Sequence, residues 1–228
     1  VKKRFFIAGT DTDAGKTLVT TGLLTAANRR GLRTIGLKPV AAGCEQTPDG
    51  LRNADALLLQ QAASIKLSYQ QVNPIALEPP IAPHIAAERE GRVLTADRLA
   101  AYCRGSLMQP ADLVLVEGAG GWRVPLSMRE SLARLPQLLA LDVILVVGMK
   151  LGCINHAILT AEAITRDGLR LAGWVANHID PQMSCPDENL ATLRRLFRAP
   201  LLGRVPWLDL PDPERVADCL DLKPLLDK

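Results

Sequence analysis

The chain has 228 residues, 48% of them hydrophobic, which is enough for one large domain or two small ones around a substantial core. Its net charge of +3 is dispersed, with Lys2-Lys3-Arg4 the densest basic run, so no nucleic-acid-binding surface is expected. The five cysteines (Cys44, Cys103, Cys153, Cys185, Cys219) are scattered and form no C-x-x-C, which predicts reduced thiols in a cytoplasmic protein and no zinc site. No apolar segment reaches the roughly 18 residues of a membrane span, and Phe5–Ala8 is too short for a signal peptide.

The first predicted strand, Arg4–Ala8, runs into Gly9-Thr-Asp-Thr-Asp-Ala-Gly-Lys16-Thr17, and a helix is predicted over Lys16–Arg30. Strand, G-x-x-x-x-G-K-[ST] and helix in that order form a phosphate-binding loop. Its backbone amides and the helix N-terminus face phosphate oxygens, Lys16 neutralises the β/γ-phosphates, and the Thr17 hydroxyl reaches a Mg²⁺ ion. A second strand, Thr34–Val40, delivers Lys38 at its end, either as a second cation beside the phosphates or as a lysine extending to solvent. Asp55 opens the helix Ala54–Ala63, and taken alone it reads as an acid complementing the helix dipole. The segment Asn73–Pro83 carries prolines at 74, 79, 80 and 83 and reads as an ordered surface excursion.

Beyond a helix over Ala96–Met108, the strand Leu113–Glu117 places four apolar residues before an acid, followed by Gly118-Ala119-Gly120-Gly121. This is a Walker-B pattern with Glu in place of Asp, and its carboxylate suits a nucleotide-bound Mg²⁺. After a helix over Leu132–Leu139 comes the strand Val143–Gly148, then Lys150-Leu-Gly152-Cys153-Ile154-Asn155-His156 at the start of a helix, Ile154–Arg166. Amides at that helix start offer a site for a carboxylate, whereas His156 reads as a packed or surface histidine. The strand Ala172–Ala176 leads into Asn177-His178-Ile-Asp180, which is either a degenerate guanine reader or an adenine reader using the Asn177 amide alone. A helix over Asp187–Phe197 and a strand over Leu201–Val205 precede Pro206-Trp207-Leu208, where Trp207 either walls in a base or belongs to the core. A C-terminal helix is predicted over Glu214–Leu225.

The alternation of strand and helix, with continuous apolar strands such as Val143–Val147, predicts an α/β fold. The expectation is a single-domain P-loop NTPase fold, residues 1–228, with a mostly parallel sheet covered by helices on both faces. Ligands in such sheets bind at the carboxyl ends of the strands, where all of these motifs fall.

Taken together, the motifs resemble dethiobiotin synthetase. The resemblance runs from Arg4 to about Leu208 and rests on residues 9–17, Lys-Pro-Val-Ala-Ala-Gly (38–43), Gly-Leu-Arg-Asn-Ala-Asp (50–55), Val-Glu-Gly-Ala-Gly-Gly-Trp (116–122), residues 150–156, Gly-Trp-Val-Ala-Asn (173–177) and Pro-Trp-Leu (206–208). It implies a ligase that joins 7,8-diaminopelargonate and CO₂ (or bicarbonate) to dethiobiotin with ATP and Mg²⁺, through a carbamate and a carbamic-phosphoric anhydride. It also implies a homodimer. Lys16 and Lys38 would be catalytic. Thr17, Asp55 and Glu117 would surround the metal, which overrides the helix-dipole reading of Asp55. Nucleotide contacts would come from Asp13, Ala14, Gly15, Lys16, Thr17, Leu18, Asp55, Glu117, Gly118, Ala119, Gly120, Asn177, His178, Pro206, Trp207, Leu208 and Glu214. Substrate contacts would come from Thr12, Lys38 and Ala42, and from Gly152, Cys153, Ile154 and Asn155 across the dimer interface.

Some positions depart from the family pattern. Asp13 stands where relatives often carry Glu, Ala42 where Ser is common, Asn189 where some place a Tyr, and His178 where an Asp is common. Glu214 lies in a segment, Leu210–Arg215, that does not align cleanly. Three other functions fit less well. A partitioning ATPase carries a lysine where this chain has Asp11, a glutamine-dependent amide ligase needs a Cys-based glutaminase domain, and a GTP switch lacks the lysine between Asn177 and Asp180.

Overall fold

The computed structural model describes residues 2–227. In chain order the first half contains β1 (Lys3–Gly9), α1 (Lys16–Arg29), β2 (Thr34–Leu37), β3 (Val40–Ala41), β4 (Glu45–Thr47), β5 (Gly50–Arg52), α2 (Ala54–Ala62), α3 (Tyr69–Val72), β6 (Ile75–Ala76) and α4 (Pro83–Arg89). There follow α5 (Ala96–Leu107), β7 (Leu113–Glu117), α6 (Arg134–Leu138), β8 (Asp142–Met149), α7 (Cys153–Arg166), β9 (Leu171–His178), α8 (Pro186–Leu196), β10 (Leu201–Val205), α9 (Pro213–Asp218) and α10 (Lys223–Leu226).

Six strands form one parallel sheet in the order β10-β9-β8-β1-β7-β2. The chain reverses its direction of growth across the sheet at β1, which lies between β7 and β8. Crevices at such a switch point receive ligands. The register sets Ile7 beside Glu117 and Leu37 beside Val116, so the strand ends that carry the P-loop, Lys38 and Glu117 are level with one another.

Side chains alternate between the two faces, and both faces are buried. Phe6, Ala8, Val114, Val116, Leu145 and Val147 join a cluster that includes residues of α5, α7 and α8. Phe5, Ile7, Leu113, Leu115, Ile144 and Val146 join the cluster beneath α1, α9 and α10. Helix α1 sits close to α9: a Cβ at Gly22 would lie 2.4 Å from Val216 Cγ1. Among the described residues no helix is long and apolar enough to cross a membrane.

The structure corrects four expectations. The strand expected over Thr34–Val40 stops at Leu37; after Pro39, which has no N–H to offer a ladder, Val40–Ala41 pairs with β6 in a separate two-stranded sheet. The excursion Asn73–Pro83 is therefore not superficial, and Ile75, Leu77 and Asn73 are buried within it. The segment Glu214–Leu225 is two short helices rather than one, because Gly203 bridges to Leu220 and Asp221 N–H donates to Leu202 O, drawing the chain onto the sheet edge. Helix α6 is shorter than Leu132–Leu139. The hairpin β4–β5 and helices α3 and α4 have no counterpart among the predicted elements.

Candidate functional site

A cavity of about 990 Å³ opens at the carboxyl ends of β1, β2 and β7. The P-loop forms one side. Asp13 takes a left-handed backbone (φ 58), as does Gly15 (φ 85), and this turns successive amides toward the start of α1. Lys16 is buried, and its ammonium reaches back to Asp11 O at 3.3 Å. Burial pushes its pKa down to about 8, with the charge of Lys38 acting in the same direction and Glu117, Asp55 and Asp13 opposing.

Lys38 is also buried. Its Nζ donates to Glu117 Oε1 at 2.6 Å and to Asp55 Oδ2 at 3.1 Å. Burial alone would lower its pKa, but the two carboxylates outweigh that and hold it above the ordinary lysine value. The solvent-extended reading of Lys38 is thereby excluded. Asp55 is likewise not mainly a helix-dipole acid. Asn53 caps α2 by accepting from Ala56 N–H, leaving the Asp55 carboxylate free to face Lys38.

Thr17 Oγ1 donates to the same Glu117 Oε1 at 2.7 Å. Glu117 Oε2 is buried and has no partner. A buried carboxylate oxygen without a donor is costly, and a divalent cation is one group that satisfies it. Mg²⁺ commonly takes one or two carboxylates plus phosphate oxygens and water rather than a full protein cage. Thr17, Asp55 and Glu117 therefore fit a nucleotide-bound Mg²⁺, although among the described residues no three His, Cys, Asp or Glu side chains group as a metal site by themselves.

Thr12, Asp13, Gly15, Lys16, Thr17, Leu18, Lys38, Ala42, Asp55, Ala119 and Gly120 all line the cavity. Glu117 lies beneath them. Gly118 follows where a Cβ would meet the Phe6 ring at 2.8 Å, so the turn after β7 can approach β1 closely. Ala14 is buried behind the loop, where its carbonyl accepts from Asn177 Nδ2 at 2.9 Å. Asn177 thus braces the P-loop from below through one of its two amide hydrogens.

The other expected nucleotide contacts lie outside this cavity. His178 Nε2 accepts from Arg204 Nε at 2.9 Å, and burial together with Arg204 lowers the histidine's pKa. Pro206 is exposed and Leu208 half-buried, and Trp207 is 46% exposed, so Trp207 is not a core residue. The Glu214 carboxylate pairs with Arg29 at the far end of α1. The turn Gly152–Asn155 does not line the cavity either, although Lys150 just before it pairs with Asp11 of the P-loop at 3.1 Å. Leu151 and Gly152 are exposed, Cys153 is buried with Sγ 3.8 Å from Asn189 Oδ1, and Ile154 is half-buried.

The sequence reading missed several lining residues: Ala41, Asn53, the Pro80–Pro83 segment, Arg123, Val124 and Pro125. The proline cluster was a usable signal for the first wall. Nothing in the spacing pointed to Arg123.

Comparison with known proteins decides the family. The family described as "AAA domain" matches residues 3–215. The ATP-dependent dethiobiotin synthetase BioD of Cellvibrio japonicus is 63% identical over 226 residues, covering 99% of both chains. That of a Pseudomonas aeruginosa strain is 59% identical and covers 97% of both. The chain belongs to the ATP-dependent dethiobiotin synthetase family. The expectation of a P-loop NTPase fold stands with it. The septum site-determining protein MinD of Pyrococcus horikoshii, solved with Mg-ADP, superposes with a TM-score of 0.52 at 16% identity, covering 94% of this chain and 86% of that one. The signal recognition particle receptor FtsY of Elizabethkingia anophelis gives 0.52 at 15% identity, covering 96% and 65%. These two likenesses concern the fold alone.

Proposed function

We propose that this dethiobiotin synthetase, as one domain and in the cytoplasm, carboxylates 7,8-diaminopelargonate with CO₂ and closes the ureido ring at the expense of ATP. The observation that carries the reading is the meeting of Lys16, Lys38, Thr17 and Asp55 at one cavity, over the buried carboxylate of Glu117. One amine of the substrate attacks CO₂ and loses a proton, giving a carbamate. A carbamate oxygen then attacks the γ-phosphorus and ADP leaves. The second amine attacks the carbamoyl carbon, phosphate departs, and a further proton is lost.

The first two species to be joined are both anions, so the step needs cations fixed in advance. Lys16, directly after the P-loop glycine Gly15 at the start of α1, holds the γ-phosphate. Lys38 holds the carbamate and stabilises charge as the new P–O bond forms. Mg²⁺, when bound by Thr17, Asp55 and Glu117, neutralises phosphate charge. Thr12 and the backbone at Ala42 face the substrate side of the cavity. Asn177, with His178 and Pro206–Leu208 nearby, contacts the adenine, whereas Glu214 is held by Arg29 at the other end of α1. The substrate carboxylate lies on the Gly152–Asn155 turn of a partner subunit. Support for that last assignment is the exposed Leu151-Gly152 pair just before α7, which does not line the cavity of its own chain.

The test is mass-spectrometric detection of dethiobiotin from the diamine, bicarbonate, ATP and Mg²⁺. Lys38→Ala is expected to lower kcat by about 10²–10³, the scale of one lost transition-state charge contact, with nucleotide affinity nearly intact. Near-normal turnover by that variant would remove Lys38 from the reaction.

A further inference from the structure

Helix α7 ends in an acid. Asp167 caps its C-terminus, where the helix dipole disfavours negative charge. Its side chain is only 13% exposed, and among the described residues its carboxylate's hydrogen bonds all run to the loop after β7. Asp167 Oδ2 accepts from Arg123 at 2.6 Å and from Trp122 Nε1 at 2.8 Å, and Oδ1 accepts from Arg123 at 2.8 Å. Trp122 is buried edge-on against Phe6 of β1. Arg123 has two faces: it lines the active-site cavity, and it also lines a neighbouring cleft of about 310 Å³ that holds Arg129, Arg134 and Glu130. Glu130 is engaged elsewhere, with Oε1 accepting from Ala96 N–H, and Arg134 reaches only Gln137. Asp167 is thus the carboxylate that offsets Arg123.

We propose that Asp167 is a specificity-determining residue: by its two-point pairing it masks the Arg123 guanidinium, so that this wall of the cavity admits a cationic diamine. The inference rests on the diamine reading of the function given above. A bidentate carboxylate–guanidinium pair presents little net charge to a third group. Without it, Arg123 would face an incoming ammonium across the cavity and repel it, while attracting anions. Asp167 acts on the substrate through Arg123 and touches no reacting atom.

The charge is tested apart from the shape with Asp167→Asn, which keeps an acceptor for Trp122 Nε1. At saturating ATP and bicarbonate, the KM for 7,8-diaminopelargonate should rise about three- to tenfold, the scale of one like-charge contact near water. The kcat and the KM for ATP should stay near wild type, because Asp167 touches neither the reacting atoms nor the P-loop. Once Arg123→Met has removed the guanidinium, adding Asp167→Asn should no longer raise the diamine KM: the double variant should match Arg123→Met alone and fall below Asp167→Asn alone. Added salt should shrink the single-variant effect. A merely structural Asp167 would not be rescued by removing Arg123. An unchanged diamine KM in Asp167→Asn, or a double variant as impaired as the single, would overturn the proposal. Wild-type protein that forms no dethiobiotin would instead overturn the functional reading, and this inference with it.

Discussion

Removing the Lys38 ammonium should destabilise the nucleotide-free protein before any chemistry is measured. Glu117 has a fully buried side chain. Among the described residues Lys38 is the one cation hydrogen-bonded to it, at 2.6 Å, and the only other donor is the Thr17 hydroxyl. Lys38→Met keeps much of the stem's volume but leaves the carboxylate with that single neutral donor and with Oε2 still unpartnered. Breaking one side of a buried ion pair costs about 3–5 kcal/mol. Asp55 adds little, since it is 43% exposed and water screens it. At about 2–4 °C per kcal/mol for a chain of this size, a loss of about 3 kcal/mol lowers Tm by about 6–12 °C. Differential scanning calorimetry without nucleotide or divalent metal measures this directly. Glu117→Gln added to Lys38→Met removes the uncompensated charge and should recover most of the loss. A Lys38→Met Tm within about 2 °C of wild type, less than one kcal/mol, would mean that Glu117 is not held as a buried charge. A double variant no better than the single would mean the same.

Glu117→Gln and Asp55→Asn each remove a charge from the oxygen set around the proposed metal, and each should raise the Mg²⁺ concentration for half-maximal activity; an unchanged value in either variant removes that residue from the set. On the proposal that Asn177, whose Nδ2 also donates to Ala14 O, presents its amide oxygen and remaining amide hydrogen to adenine, ATP should be favoured over GTP by roughly tenfold in kcat/KM, one hydrogen bond's worth; equal use of GTP would make Asn177 and Asp180 a guanine-reading pair. The substrate carboxylate is proposed to sit at a twofold boundary, so sedimentation at assay concentration should give a dimer, and a fully active monomer would refute the shared site.

Much of this protein was legible in the chain itself, because its chemistry is local. A P-loop is one continuous segment whose glycines, lysine and threonine work at set spacings, and the strand and helix around it are contiguous with it. The apolar runs of β7 and β8 read as buried parallel strands for the same reason: both faces are covered, so nothing polar interrupts them. The family, too, could be inferred from ordered blocks of such local motifs. Tertiary structure decided what depends on partners distant in sequence. By its local setting Asp55 reads as an ordinary helix-start acid, and only the family resemblance moved it to the metal; the fold is what places it 3.1 Å from Lys38, which lies on another element. Lys38 had two readings until Glu117 closed over it from the neighbouring strand. The proline-rich excursion became a cavity wall only because β6 finds β3, a pairing of two residues on each side that leaves almost no periodic signal. Arg123 and Asp167 lie 44 residues apart, on a loop and at a helix end, and no spacing links them. Their pairing exists only because α7 runs back across the sheet and ends beside the loop that follows Glu117.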